Sequence, residues 1–183
     1  MSYHHGDLRQ AFLAAAARAI EADGIDSLNL RALARELGVT HTAPRHHFGD
    51  RRGVLTALAS QGHDLLTDQL AKHERLIDSG VAYVLFAVAH PAHFRVMFAP
   101  ELLDNDDPTL GAARDRLADE LTRGAGQPRG ASPSGDPALL APWGLAHGIA
   151  TLAVAGNLGP TDTPAFRKLV RATLGRLATT SHA

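Results

Sequence analysis

The side chains with the widest chemical reach crowd into one short stretch. Between Asn29 and Arg52 stand Arg31, Arg35, Arg45, Arg51 and Arg52, with His41, His46, His47, Thr40 and Thr42 among them. Guanidiniums grip phosphate oxygens in a fork, and an imidazole can gain charge beside a phosphate. Only Glu36 and Asp50 oppose the five arginines, which leaves +3 locally in a chain of formal net charge -1. That is the chemistry of holding a polyanion through a local patch rather than through bulk charge. Catalysis needs other arrangements. No phosphate-binding glycine loop, nucleophile elbow or paired-carboxylate arrangement accompanies the patch, so neither an enzyme nor a cofactor is expected. His90 and His93 have a spacing that suits a metal, but no third ligand is evident and no metal site is expected.

Such residues need a scaffold, and the surrounding sequence reads as helix. Asp7 to Ala22 carries Leu8, Phe12, Ala15, Ala16, Ala19 and Ile20 on one stripe, and Gly24 ends it. Asn29 caps a short helix from Leu30 to Leu37, and Gly38 supplies the positive φ that stops it. Thr40 is expected to cap a third helix, His41 to Phe48. Asp50 caps a longer fourth, with Val54, Leu55, Leu58, Leu65, Leu66, Leu70 and Leu76 or Ile77 in register and an end expected near Asp78. Two short helices around a glycine turn are the parts of a helix-turn-helix. Ala34 allows close approach, Val39 fills the space under the turn, and the third helix presents Thr40, His41, Thr42 and Ala43. An α-helix fits the DNA major groove with its first residues near base edges, while helix-start amides receive phosphates. Pro44 is the awkward residue, because inside a helix it removes one hydrogen bond.

Beyond residue 78 the helices continue. One pair is broken at His90-Pro91, another helix runs from Pro108 to Arg123, and 123–137 reads as a flexible loop rich in glycine and proline. Pro137 to Thr161 has no charged residue. Its length nearly suits a bilayer, but Pro142, His147, Asn157 and four glycines favour a soluble helix buried on two faces. Thr163 and Pro164 open the last helix, striped by Phe166, Leu169, Val170, Leu174 and Leu177. The polar start of the chain lacks a secretory signal, and with no cysteine there is neither a disulfide nor a thiolate site. A cytoplasmic, nucleoid-associated protein is expected. The fold class expected is all-α, with a helix-turn-helix DNA-binding domain over 1–50 and a second helical domain over 51–183.

Residues 8–59 resemble the DNA-binding domain of the TetR family of bacterial transcription regulators. The match rests on Ala15, Gly24, Leu30, Arg31, Leu33, Ala34, Leu37, Gly38, Val39, Thr40, His47, Phe48 and Leu55. The opening "YHHGDLR", together with Trp143, His147 and Gly148, resembles a subgroup whose regulatory domain carries Trp-x-x-x-His-Gly. The chain departs from the family's tyrosine at Arg45 and from its lysine at Arg51, both positions that meet phosphate. The resemblance implies that His41, Thr42, Ala43 and Arg45 face bases. Asn29, Arg31, Thr40, His47 and Arg51 would hold phosphates, with His46 beside them.

The second half is then expected to dimerise and to sense a ligand. Gly144 and Gly148 form a small strip that lets another helix approach, and the resemblance implies a homodimer through the last two long helices. The interface residues expected are Gly144, Gly148, Leu152, Phe166, Val170 and Leu174. Tyr83, Phe86, His90, Phe94, Met97, Phe98, Trp143 and His147 are the candidate lining of an effector pocket, apolar with a few polar groups. The expected partners are a double-stranded DNA operator, a second copy and a small-molecule effector, without a membrane. The function these imply is a ligand-responsive repressor of transcription; the rival is a helical ligand-binding or scaffold protein that does not bind DNA.

Overall fold

Capping residues set most of the helix boundaries. The computed structural model describes residues 5–124 and 135–180, and among these there is no strand. α1 (His5–Asp23) ends at Gly24, and a 3-10 turn, Ile25–Ser27, leads to α2 (Leu30–Glu36). The side-chain oxygen of Asn29 accepts from the N–H of Arg31 at 3.0 Å and of Ala32 at 3.2 Å, which satisfies two amides that have no helical partner. Gly38 sits at φ +68°, and behind it the Val39 N–H returns to the Ala34 carbonyl at 2.9 Å. This left-handed closure turns the chain into α3 (Ala43–Phe48). The Asp50 carboxylate accepts from the Gly53 N–H at 2.9 Å and starts α4 (Arg51–Leu70). There follow α5 (Leu76–Ala89), α6 (Pro91–Met97), a 3-10 turn at Pro100–Leu102, α7 (Pro108–Gly124), α8 (Pro137–Val154) and α9 (Pro164–Thr180). α6 to α9 each open on proline, whose missing N–H would have had no helical acceptor there.

Several boundaries differ from the sequence reading: α8 ends at Val154 rather than running on to Thr161, and two further differences bear on the site. α3 begins at Ala43, so Thr40 and His41 precede it and Thr42 stands at its N-cap. Pro44 thereby falls in the first turn and costs no hydrogen bond, which removes the awkwardness of a mid-helix proline. α4 stops at Leu70 instead of near Asp78. The His73 N–H turns back to the Leu70 carbonyl at 3.0 Å, and Arg75 is extended before Leu76 begins the next helix. Leu76 and Ile77 kept the helical spacing of α4, but the five residues before them offer no apolar anchor. Most of the segment expected as a loop, 123–137, lies outside the described residues, as does His4.

The chain divides into two compact units. One holds the described residues up to Gly62 together with Ala92–Ala112; the other holds His63–Pro91 and the residues from Ala113 on. Compactness therefore does not follow the boundary at residue 50. In the first unit Phe12, Leu13, Ala16 and Ile20 of α1, Leu33 and Ala34 of α2, and Leu55 and Leu58 of α4 are buried. Its later segment is tied to α4: the Thr56 hydroxyl accepts from the Asp104 N–H at 2.9 Å, and Arg52 donates to the Glu101 carbonyl at 3.2 Å. At Gly62 a Cβ would lie 2.6 Å from Met97 Sδ and 3.1 Å from His93 Cβ, so α4 and α6 meet closely over this glycine.

In the second unit α5 packs against α8 and α9. α5 buries Val81, Tyr83, Val84, Phe86 and Ala87, and α8 buries the stripe Leu139, Ala146, Ala150 and Ala153. α8 is long and apolar enough to cross a membrane by length and composition, with a mean hydropathy of 1.3. The expected burial on two faces is met on one. Leu140, Gly144, Gly148 and Leu152 stay exposed, as does Leu169 of α9 at 55%. Phe166, Val170 and Leu174 were expected at a chain-to-chain interface; they are buried inside this unit, and Leu169 is the exposed residue of their helix.

Candidate nucleic-acid interface

The corner between α2 and α3 gathers the sequence's candidate residues. Arg31, Thr40, His41, Thr42, Arg45 and His46 are exposed; Ala43 and His47 are half-buried, His47 with its ring centroid 6.1 Å from that of Phe48. Phe48 is anchored in turn by Phe12, centroid to centroid 6.1 Å. The short α3 is thus held from below by an aromatic contact to α1. The Thr40 and Thr42 hydroxyls hydrogen-bond each other at 3.1 Å, and the Ala43 N–H reaches the Thr40 carbonyl at 3.0 Å, which fixes the turn that presents His41.

Charge at this corner is less opposed than the sequence count implied. Glu36 pairs with Arg18 at 2.8 Å, and the Asp50 carboxylate is spent capping α4. Two expected phosphate ligands are partly committed within the chain. Asn29 uses its oxygen as a cap, so its amide NH2 is the group left to reach a phosphate. Arg51 is half-buried and donates to the Ile25 carbonyl at 2.6 Å, with Asp26 at 3.9 Å. It fastens the 3-10 turn to the start of α4. Arg9 adds a cation that the sequence reading passed over: its guanidinium carbon stands 5.4 Å from the centroid of the Phe48 ring. Nothing in local spacing links Arg9 to Phe48, because the contact depends on how α1 crosses α3.

The eight effector-pocket candidates divide between the units. Phe94, Met97 and Phe98 belong to the first, with the rings of Phe94 and Phe98 5.1 Å apart. Tyr83, Phe86, His90, Trp143 and His147 belong to the second. There the Tyr83 hydroxyl and His147 Nδ1 share a hydrogen bond of 2.9 Å, and the rings of Trp143 and His147 are 6.1 Å apart. Burial holds the Tyr83 phenol well above the usual range, opposed by a hydrogen bond with Trp143, and burial also lowers the His147 imidazole. Both are therefore neutral around pH 7, a polar pair set in an apolar helix packing. Among the described residues no group of three or more His, Asp or Glu is placed to hold a metal.

A helix-turn-helix with a cationic corner, followed by an all-helical second unit, defines a DNA-binding regulator. The comparisons agree. Residues 12–58 match the bacterial regulatory proteins of the tetR family, and residues 76–177 match the tetracyclin repressor-like C-terminal domain. A structure described as a protein with unknown function from Rhodococcus sp. RHA1 is 32% identical, covers 98% of this chain and 96% of its own, and superposes with a TM-score of 0.73. A tetR-family regulatory protein from Rhodococcus RHA1 is 18% identical, with 92% and 93% covered and a TM-score of 0.66. The TetR family transcriptional regulator PfmR from Thermus thermophilus is 20% identical, with 90% and 94% covered and a TM-score of 0.60. No curated protein matches the chain. The chain belongs to the TetR family.

Proposed function

We propose that the protein is a homodimeric, ligand-responsive repressor that acts in the cytoplasm on a pseudo-palindromic operator. Each α3 enters the major groove of one half-site. His41, Thr42, Ala43 and Arg45 meet base edges, while Asn29, Arg31, Thr40, His46, His47 and Arg51 hold the backbone. The observation that carries this reading is the exposed cluster of Arg31, Thr40, His41, Thr42, Arg45 and His46 at the α2–α3 corner. Dimerisation uses the open face of α8 and α9, where Leu140, Leu152 and Leu169 are exposed beside Gly144 and Gly148. Burying such a face removes apolar surface from water. An effector near Tyr83, Trp143 and His147 weakens operator binding by favouring another spacing of the two heads. The Trp143 and His147 contact also supports membership of the Trp-x-x-x-His-Gly subgroup.

Selection of operator DNA from a random pool tests the reading. Recovered sites should be two inverted half-sites with centres one helical turn apart or a multiple, about 34–36 Å. Sedimentation should give a dimer for the wild type. Gly148→Leu should shift it to monomer, because a leucine forces close-packed helices apart at a typical cost of ~1–3 kcal/mol. Recovery of no enriched sequence by a folded dimer would favour a ligand-binding protein without DNA recognition.

A further inference from the structure

The second unit holds a groove that none of the pocket candidates lines. It encloses about 620 Å³ between the end of α5 and the start of α9. Its floor is apolar, formed by Leu85, Val88 and Ala89, and its wall carries three cations of α9, Arg167, Lys168 and Arg171. Asp162 is the one acid lining it. The volume falls within the range of small-molecule sites, roughly 300–1,000 Å³.

The cations are not equivalent. Arg171 is held by Asp78 at 2.6 Å, and that hydrogen bond pulls the Asp78 carboxyl below its usual range, so the pair persists in mildly acid solution. The salt bridge pins one wall of the groove. Arg167 and Lys168 form no ion pair with a carboxylate among the described residues. Arg167 and Arg171 are four apart and share a helix face, so the free guanidinium stands one turn from the pinned one. The amides at the start of α9 contribute little. Pro164 has no N–H, the Thr163 hydroxyl accepts the Phe166 N–H at 3.1 Å, and the Thr163 carbonyl accepts the Arg167 N–H at 3.3 Å. Of the first-turn amides only that of Ala165 is left for an anion, so side chains supply most of what meets one here.

We infer that this α5–α9 groove binds a small organic carboxylate, its apolar body on Leu85, Val88 and Ala89 and its carboxylate on Arg167 and Lys168. A guanidinium fork fits a carboxylate bidentately, and the apolar residues add burial for an organic body that a bare inorganic anion lacks. The site is separate from the Tyr83–His147 pair and does not depend on whether the protein represses transcription.

The test uses the full chain and 2-naphthoate, with 2-naphthalenemethanol as the uncharged analogue of matching shape, titrated by calorimetry. Naphthoate should bind saturably, one per chain, and the alcohol should bind about tenfold more weakly, the loss of one charge-assisted contact. The double variant Arg167→Ala, Lys168→Ala should weaken naphthoate by at least that factor with its circular dichroism unchanged. Val88→Trp, which fills the groove from the floor, should weaken naphthoate and the alcohol together. Absence of saturable binding at millimolar naphthoate would overturn the proposal, as would equal binding of acid and alcohol. Loss of binding in Tyr83→Phe with the double variant unaffected would move the ligand elsewhere and also overturn it. So would a double variant that changes only the dimer equilibrium, which would make the groove part of a contact between chains.

Discussion

Two glycines on two helices show how differently the halves of this molecule are built. At Gly53, in the first turn of α4, a Cβ would fall 1.8 Å from the carbonyl oxygen of Phe48. At Gly148, in α8, a Cβ would meet nothing within 4 Å. The head is closed by its own backbone: α3 can end on Phe48 and hand over to α4 only because residue 53 has no side chain. The α8 glycine does nothing for its own chain. A helix interior normally disfavours glycine by about 1 kcal/mol relative to alanine, so on the proposed reading the small strip is kept for a helix of a second chain. One region is complete in itself, and the other presents an unfinished face.

The largest test of that contrast is a pair of alanine substitutions. Gly53→Ala should destabilise the head by about 3 kcal/mol, the upper end of overpacking costs, because the obstacle is backbone and cannot rotate away. Operator binding should fall with it. Gly144→Ala, which also meets nothing within 4 Å, should leave the fold of the chain unchanged or more stable by up to about 1 kcal/mol. Urea unfolding of both variants reads the difference. Equal costs at the two sites would mean that the α8 strip is already closed by its own chain.

The same contrast explains what could be read from the sequence. The head was legible because its determinants are local: Asn29 caps over two residues, Gly38 turns within one, and Asp50 caps over three. Gly53 went unread because the atom it avoids lies in the preceding helix, and Arg9 because it meets Phe48 through the crossing of α1 and α3. In the second half, Phe166, Val170 and Leu174 carry a stripe whose period is clear but whose addressee is not. Periodicity says that a face is buried; it does not say whether the cover is α5 of the same chain or a helix of another. The division of the pocket candidates between the two units was hidden for a similar reason, since aromatic content does not reveal which helices meet.

Histidine gives a second, smaller contrast. His41 and His46 of the head are exposed, whereas His63 on α4, in the second unit, is 5% exposed and neither ring nitrogen has a hydrogen-bond partner. Burial pushes its pKa down from 6.5 to about 4, helped by Arg114 and opposed by Asp64. The unfolded chain therefore binds a proton that the folded chain refuses between these values. The stabilisation is complete above pH 6.5 and is lost as pH falls toward 4, at about 1.4 kcal/mol per pH unit. Comparing urea midpoints at pH 7.5 and 5.5 stays above most carboxylate titration, so a loss of roughly 1 kcal/mol is expected there. His63→Gln should remove that part of the slope. A slope unchanged by the substitution would assign it to other groups.

The finest distinction separates two arginines inside the head. Arg45 is exposed and forms no ion pair among the described residues, so its side chain is open to solvent and, on the proposed reading, to DNA. Arg51 is tied to the Ile25 carbonyl at 2.6 Å and braces the turn before α2. Arg51→Ala should therefore lower both folding stability, by the ~1 kcal/mol typical of one hydrogen bond, and affinity for all DNA alike. Arg45→Ala should leave unfolding unchanged. If it reaches a base edge, it should relax preference at one operator position by ~1–3 kcal/mol while the remaining positions keep theirs. Thermal unfolding of the two variants, with binding to operator, to operators changed at single positions and to scrambled duplexes at one fixed salt concentration, separates the two roles. A stable Arg51→Ala variant with weakened binding would return Arg51 to a purely phosphate-holding role. Equal loss on both duplexes for Arg45→Ala would make Arg45 a backbone contact, the role the family gives to the tyrosine it replaces.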